Sequence, residues 1–249
     1  MRSLKRAFHL YREKGFLSAT AHIHRVALVR FQEALYARDQ SISEVVSTDG
    51  IVELNTLEIE SGNKEKGTRY VATPRLVIEW LHTILPCDPK NWVFIDLGAG
   101  RGRVVLEAAR RPYRRVVGVE FARELALQAK QNILCLAGPA IRAADVQIIH
   151  ADVTEFDIPQ EPSIFYLYAP FTNEVLELFI KRVEDTYRRG PYPIVFTYLN
   201  PSARESALDM SPFFQPVRLR LSLRLKFKFL NPHPVKIYAT KEAMPFLRG

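Results

Sequence analysis

The stretch Val93-Phe94-Ile95-Asp96-Leu97-Gly98-Ala99-Gly100-Arg101-Gly102-Arg103-Val104-Val105-Leu106 decides the fold. An apolar run that ends in a carboxylate gives way to glycines at alternate positions, and these give way to an apolar run of helical character. A strand, a tight turn and a helix follow in that order. Glycine lets the backbone turn sharply and lets a ligand approach where a Cβ would intrude, at a cost in chain entropy. Three glycines in five residues therefore point to a close-lying ligand. In an open α/β sheet such a turn sits at the carboxyl end of the first strand, where ligands bind.

The spacing narrows the ligand. A dinucleotide turn follows G-x-G-x-x-G, but the third glycine position of that template is Arg103. No G-x-x-x-x-G-K-[ST] occurs, which excludes a phosphate-binding loop of that kind. About 20 residues past the glycines, Val117-Gly118-Val119-Glu120 ends the second strand in a carboxylate suited to both hydroxyls of a ribose. Asp152, just past the third strand, can accept from an adenine amino group. Asp96 ends a buried strand and needs a partner, either the amides of the glycine turn or an amine on the ligand. Carboxylates above adjacent strand ends suit a nucleoside and repel a ligand held by its phosphates.

Outward from the turn, helix and strand alternate. The patterns predict a helix over 73–85 with Pro74 in its first turn, a strand over 92–97, a helix over 102–110 and a strand over 115–119. They continue with a helix over 122–136, strands over 146–150 and 164–168, a helix over 173–187 and a strand over 194–198. Strands apolar on both faces, separated by helices, build a doubly wound, mostly parallel α/β sheet. From Val217 to Phe229 apolar and basic residues alternate strictly, which predicts a half-buried antiparallel strand, and 235–240 can pair with it after the turn at 231–234.

The 249 residues are 47% hydrophobic, enough for one substantial domain with extensions, and 16 Pro with 11 Gly exclude a low-complexity chain. No apolar run reaches a membrane-spanning length. Cys87 and Cys135 form no CxxC pair, and the six histidines share no ligand spacing, so no metal is expected and a reducing, cytoplasmic setting fits. The net charge of +8 belongs to the ends: residues 1–40 carry 8 basic and 3 acidic groups, and residues 212–249 carry 8 and 1. Residues 1–40 read as a basic amphipathic helical extension, 41–69 as a linker and 70–249 as the ligand-binding domain. The basic residues of 1–40 and 218–228 suit an acidic partner: nucleic acid, an anionic membrane surface or an acidic protein. Arg101 and Arg103, flanking the turn, read as solvated surface arginines.

Asp96 to Gly102, Glu120, and Asp152 with Val153 resemble the motifs of class I S-adenosylmethionine-dependent methyltransferases over about residues 70–240. Arg69-Tyr-Val-Ala-Thr-Pro, Val117-Gly-Val-Glu-Phe and Tyr166-Leu-Tyr-Ala-Pro-Phe171 are similar to a bacterial Dot1-like branch. The resemblance implies a Rossmann-like seven-stranded sheet ending in an antiparallel hairpin, with S-adenosyl-L-methionine as cofactor. It implies cofactor contacts from Asp96, Gly98, Gly100, Gly102, Glu120, Asp152 and Val153, with Tyr70 and Thr73 closing over the methionine part. The acceptor motif of the family falls at Tyr168-Ala169-Pro170-Phe171, where Ala169 stands in place of a polar side chain that would orient an amine. Tyr168, Ala169 and Phe171 are the candidate acceptor wall, with Tyr198 and Asn200 as candidates to supply the missing polarity. The acceptor itself is unassigned, a protein amine being one option. Two other readings stand beside this one: a dinucleotide (NAD-type) module, and an inactive cofactor binder that acts through its basic ends.

Overall fold

The computed structural model describes residues 70–86, 88–136, 140–201, 206–231 and 233–248, with positions 20, 22–24, 26–28, 30, 31, 46, 48, 51, 52 and 67. The rest of the proposed N-terminal helices lies outside the described residues; positions 20, 22–24, 26–28, 30 and 31 are helical. A short antiparallel pair, β1 (Ile51–Val52) and β2 (Tyr70–Val71), precedes helix α1 (Arg75–His82). Then come β3 (Val93–Leu97), α2 (Arg103–Ala109), β4 (Arg115–Glu120), α3 (Arg123–Leu136) and β5 (Val146–His150). The second half runs β6 (Ser163–Tyr168), α4 (Asn173–Arg189), β7 (Ile194–Leu199), α5 (Ala207–Met210), β8 (Gln215–Pro216), α6 (Leu221–Leu230) and β9 (Val235–Ala239).

The main sheet has seven strands in the order β5-β4-β3-β6-β7-β9-β8. The first five are mutually parallel, and β9 enters antiparallel to both β7 and β8. Strand order reverses beside β3, so the crevice of the doubly wound sheet lies above the carboxyl ends of β3, β4 and β6. Alternate strand residues feed two apolar layers. Phe94, Tyr166 and Val195 face α1, α2, α3 and α6, whereas Ile95, Phe165 and Phe196 face α4 and α5.

One expected strand is a helix. The segment 217–229 holds one β-branched residue, Val217, and is otherwise Leu, Arg, Lys, Phe and Ser. Leu, Arg and Lys are among the strongest helix formers, so local preference opposes the period-two pattern. The ladder ends where the Val217 amide donates to the Ile237 carbonyl, at 2.8 Å. Beyond it α6 places Leu223 and Phe227, four residues apart, on one buried face, with Phe227 edge-on to Trp80 of α1 at 5.8 Å. The C-terminal antiparallel hairpin is present, but its first strand is Gln215–Pro216.

Candidate active site

The turn after β3 is fastened before any ligand is considered. Gly98 and Ala99 donate to the Val119 carbonyl of β4 at 2.9 and 3.0 Å, and Gly102 donates to the Ala99 carbonyl at 2.8 Å. Gly98, Gly100 and Gly102 have φ of 79°, 54° and 81°, the left-handed region where a side chain is strained. Their close neighbours belong to the chain itself, contrary to the expectation that a ligand alone accounts for them. A Cβ on Gly98 would lie 2.4 Å from Cβ of Pro170, and one on Gly100 would lie 2.1 Å from the Tyr70 ring. Tyr70 and Pro170 are themselves walls of the cleft above the turn.

That cleft is lined by Tyr70, Thr73, Asp96, Gly98, Arg103, Glu120, Phe121, Tyr166 and Tyr168, among others. A second lobe shares Gly98, Phe121 and Pro170 with it and adds Gly67, Val119, Asp152, Val153, Phe171 and Val175. The crevice is therefore bipartite. The first lobe carries two buried carboxyls, and the second is mainly apolar and edged by one acid.

Glu120 ends β4 with its side chain turned back over the glycine turn. Oε2 accepts from the Gly100 amide at 2.7 Å and Oε1 from the Ala122 amide at 2.9 Å. Burial raises its pKa from 4.5 to about 7, against the pull of those amides. Each carboxylate oxygen has two acceptor sites, so the carboxyl keeps capacity for a further donor. Asp96, opposite Gly118 and Tyr166 in the sheet, is 3% exposed, and among the described residues no hydrogen-bond donor reaches its carboxyl. Burial first, and the Glu120 carboxyl second, hold its pKa well above the usual carboxylate range. A cation set against Asp96 would counter both causes.

Thr73 does not cap α1; Pro74 is the N-cap, and no side-chain bond is made there. Its hydroxyl instead bonds the Tyr166 hydroxyl at 2.8 Å inside the first lobe. Tyr70 donates its hydroxyl to the Thr48 carbonyl at 2.6 Å. Arg103, read from sequence as solvated, is 4% exposed: Nε donates to the Thr48 hydroxyl at 3.0 Å and a terminal nitrogen to the Thr73 carbonyl at 3.4 Å. It pins the segment before β2 and the start of α1 to the glycine turn. Arg101 lies 5.9 Å from the Tyr70 ring centre. Thr48 and Gly67, within the stretch read as a linker, thus help build the walls, Gly67 bridging to Phe171.

In the second lobe, Asp152 Oδ1 accepts from the Thr154 amide and hydroxyl at 2.8 and 2.7 Å. His150, at the end of β5, lines neither lobe and shares a hydrogen bond with the Phe121 carbonyl at 3.1 Å. Among the acceptor candidates, Tyr168 lines the first lobe and Phe171 the second. Ala169 lies between them at φ 38°, a conformation costly for a residue with a Cβ. Tyr198 is buried in the core layer under α4, and Asn200, at φ 54°, donates its amide to the Pro234 carbonyl at 2.7 Å; neither lines a lobe. Phe121, the residue after the ribose-contact candidate, lines both lobes and was not singled out from sequence. Its position directly after a strand-end carboxylate was the available signal.

Among the described residues no group of three His, Cys, Asp or Glu could hold a metal ion, and no helix is long and apolar enough to cross a membrane.

No family model matches the chain. It is similar to the histone-lysine N-methyltransferase, H3 lysine-79 specific, of Dictyostelium discoideum: 28% identical over 156 residues, covering 57% of this chain and 8% of that protein. The chain thus spans less than a tenth of the length of this relative. Among solved structures it is similar to an RNA methyltransferase from Salinibacter ruber in complex with S-adenosyl-L-homocysteine, at 21% identity, TM-score 0.41, over 68% of this chain and 92% of that one. It is also similar to a precorrin 8w decarboxylase from Methanobacterium thermoautotrophicum, at 21% identity, TM-score 0.45, over 69% and 92%. A ribosomal protein L11 methylase from Lactobacillus delbrueckii shows 15% identity, TM-score 0.40, over 66% and 73%. A seven-stranded sheet ordered β5-β4-β3-β6-β7-β9-β8, with one antiparallel member beside β7 and a glycine turn after β3, is the Rossmann-like fold of the class I S-adenosylmethionine-dependent methyltransferases.

Proposed function

We propose that this chain is an S-adenosylmethionine-dependent methyltransferase. One observation carries the reading: two buried carboxyls, Asp96 and Glu120, at the ends of adjacent strands, open into one crevice whose far lobe is apolar. The order acid, acid, apolar slot matches an ammonium, a ribose and a purine. Asp96 holds the amine, Glu120 the two ribose hydroxyls, and Phe121, Val153 and Phe171 flank the ring, with Asp152 at its edge. Tyr70 and Thr73 close the amino-acid end. A pyrophosphate would meet two carboxyls in the first lobe, which disfavours the dinucleotide reading.

S-adenosylmethionine supplies a methyl carbon activated by a sulfonium. The chain's part is to bring an acceptor lone pair into line with that carbon and keep water out. Tyr168, beside Pro170 at the shared rim, and Phe171 form the apolar side of that approach. Ala169 contributes no side-chain acceptor, so a backbone carbonyl would have to orient an amine by accepting a hydrogen bond, and the amine's proton would pass to solvent water. The similarity to a histone-lysine enzyme makes a protein amine the first acceptor to test.

The test has two stages. In calorimetry, S-adenosylmethionine should bind and NAD should not, and Glu120→Ala should abolish binding; NAD binding in its place would reverse the assignment. Methyl-labelled S-adenosylmethionine is then incubated with fractionated cell lysate and read separately in protein, nucleic acid and small molecules. Label in protein supports the amine acceptor, and label confined to another fraction reassigns it.

A further inference from the structure

The helix α6 is apolar on two opposite sides. In a strand, 217–229 would set its apolar residues on one face. In a helix, a period of two divides them, because residues four apart share a face and residues two apart do not. Leu223 and Phe227 take the inner side, 9% and 7% exposed. Leu221, Leu225 and Phe229 form a second stripe on the diametrically opposite side, 68%, 45% and 55% exposed. Arg224 and Lys228 flank that stripe on one side and Lys226 on the other, all exposed. Among the described residues no acid pairs with Arg218, Arg224, Lys226 or Lys228, and the sequence contains no Asp or Glu from 211 to 241. An open groove beside the stripe, lined by Val217, Leu221, Leu225 and Val235 together with Arg218 and Arg224, carries the same mixture of apolar and cationic groups toward β9.

From this pattern we infer that α6 is a docking surface for an anionic lipid bilayer. The occupant must take up apolar side chains and cations side by side, along a helix held flat on the protein by its inner stripe. A bilayer interface meets both demands: the Leu and Phe enter the boundary between headgroups and acyl chains, and the Arg and Lys meet anionic headgroups. Nucleic acid would use the cations but leave Leu221 and Leu225 without a partner. Docking would bring the crevice close to the surface, since the α6–β9 loop sets His233 against Tyr168, ring centres 5.4 Å apart. The inference stands independently of the methyl-transfer reading.

The experiment is flotation of the full chain with vesicles of phosphatidylcholine alone or with about one-third phosphatidylserine, at constant salt. Binding is expected only to the anionic vesicles. Arg224→Glu with Lys228→Glu should weaken it at least roughly 25-fold, about fivefold for each cation removed. Leu225→Ser with Phe229→Ser should weaken it on the order of tenfold. Both pairs are exposed, so the variants should keep the wild-type melting temperature, and binding should be compared at that control. Equal binding to neutral vesicles, no vesicle binding, or a loss with the charge pair but none with the Leu225/Phe229 pair would each overturn the inference. In the last case, capture of a short RNA or DNA duplex under the same conditions would identify a polyanion as the occupant.

Discussion

Replacing Glu120 by Gln should make the pH profiles of stability cross. Folding moves this carboxyl from 4.5 to about 7 by burying it. Between those values the folded chain keeps a proton that the unfolded chain has lost, so stability falls as pH rises through the window and is greatest below it. The loss through Glu120 alone is about 2–3 kcal/mol between about pH 5 and about pH 8. Asp96, raised by the same burial and by Glu120 itself, adds to it with the same sign, and the two titrate as a pair. Gln is neutral throughout and lifts the charge from beside Asp96, but its NH2 group faces one of the two amides that Glu120 accepts, at a cost of about 1–3 kcal/mol at every pH. That constant cost cancels when the two pH values are compared. Thermal melts at about pH 5 and pH 8 should therefore show the wild type losing about 5–10 °C more than Glu120→Gln on raising the pH. In the same melts S-adenosylmethionine should stabilise the wild type, more strongly above pH 7 than below it, and leave the variant unmoved. Parallel pH profiles for the two proteins would refute the claim that Glu120 is a charge buried at a cost in folding for the sake of a ligand.

Two further outcomes follow from the walls of the crevice. Gly100→Ala should cost about 2–4 kcal/mol, from a left-handed φ of 54° plus a Cβ driven 2.1 Å from the Tyr70 ring; in a Tyr70→Ala background only the backbone part, about 1–2 kcal/mol, should persist. Denaturant unfolding of the four proteins measures this, and strict additivity would show that the ring does not press on the turn. Arg103→Ala should cost about 2–4 kcal/mol and, by hydrogen exchange, release Thr48 and the residues around Thr73 more than the core of the sheet. Uniform loosening of the whole domain would count against a pinning role.

Much of this protein is legible along the chain because its information is local. The strand-turn-helix from Val93 to Leu106, the alternation of apolar strands and helices, and the carboxylates at strand ends each follow from neighbours in sequence, and the parallel sheet follows from their order. Asp96 and Glu120 could be placed at one crevice from sequence because parallel strands bring their carboxyl ends to one edge. What needed the tertiary structure depends on partners far away in the chain. Arg103 is buried because Thr48, 55 residues earlier, accepts its hydrogen bond. The glycines at 98 and 100 are obligatory because Pro170 and Tyr70 arrive against them. Thr73 faces the cleft rather than capping α1 because Tyr166 lies across from it. For residues 217–229, period and propensity pointed in opposite directions. Burial of Leu223 and Phe227 under α1 decided for the helix, and in doing so turned Leu221, Leu225 and Phe229 outward.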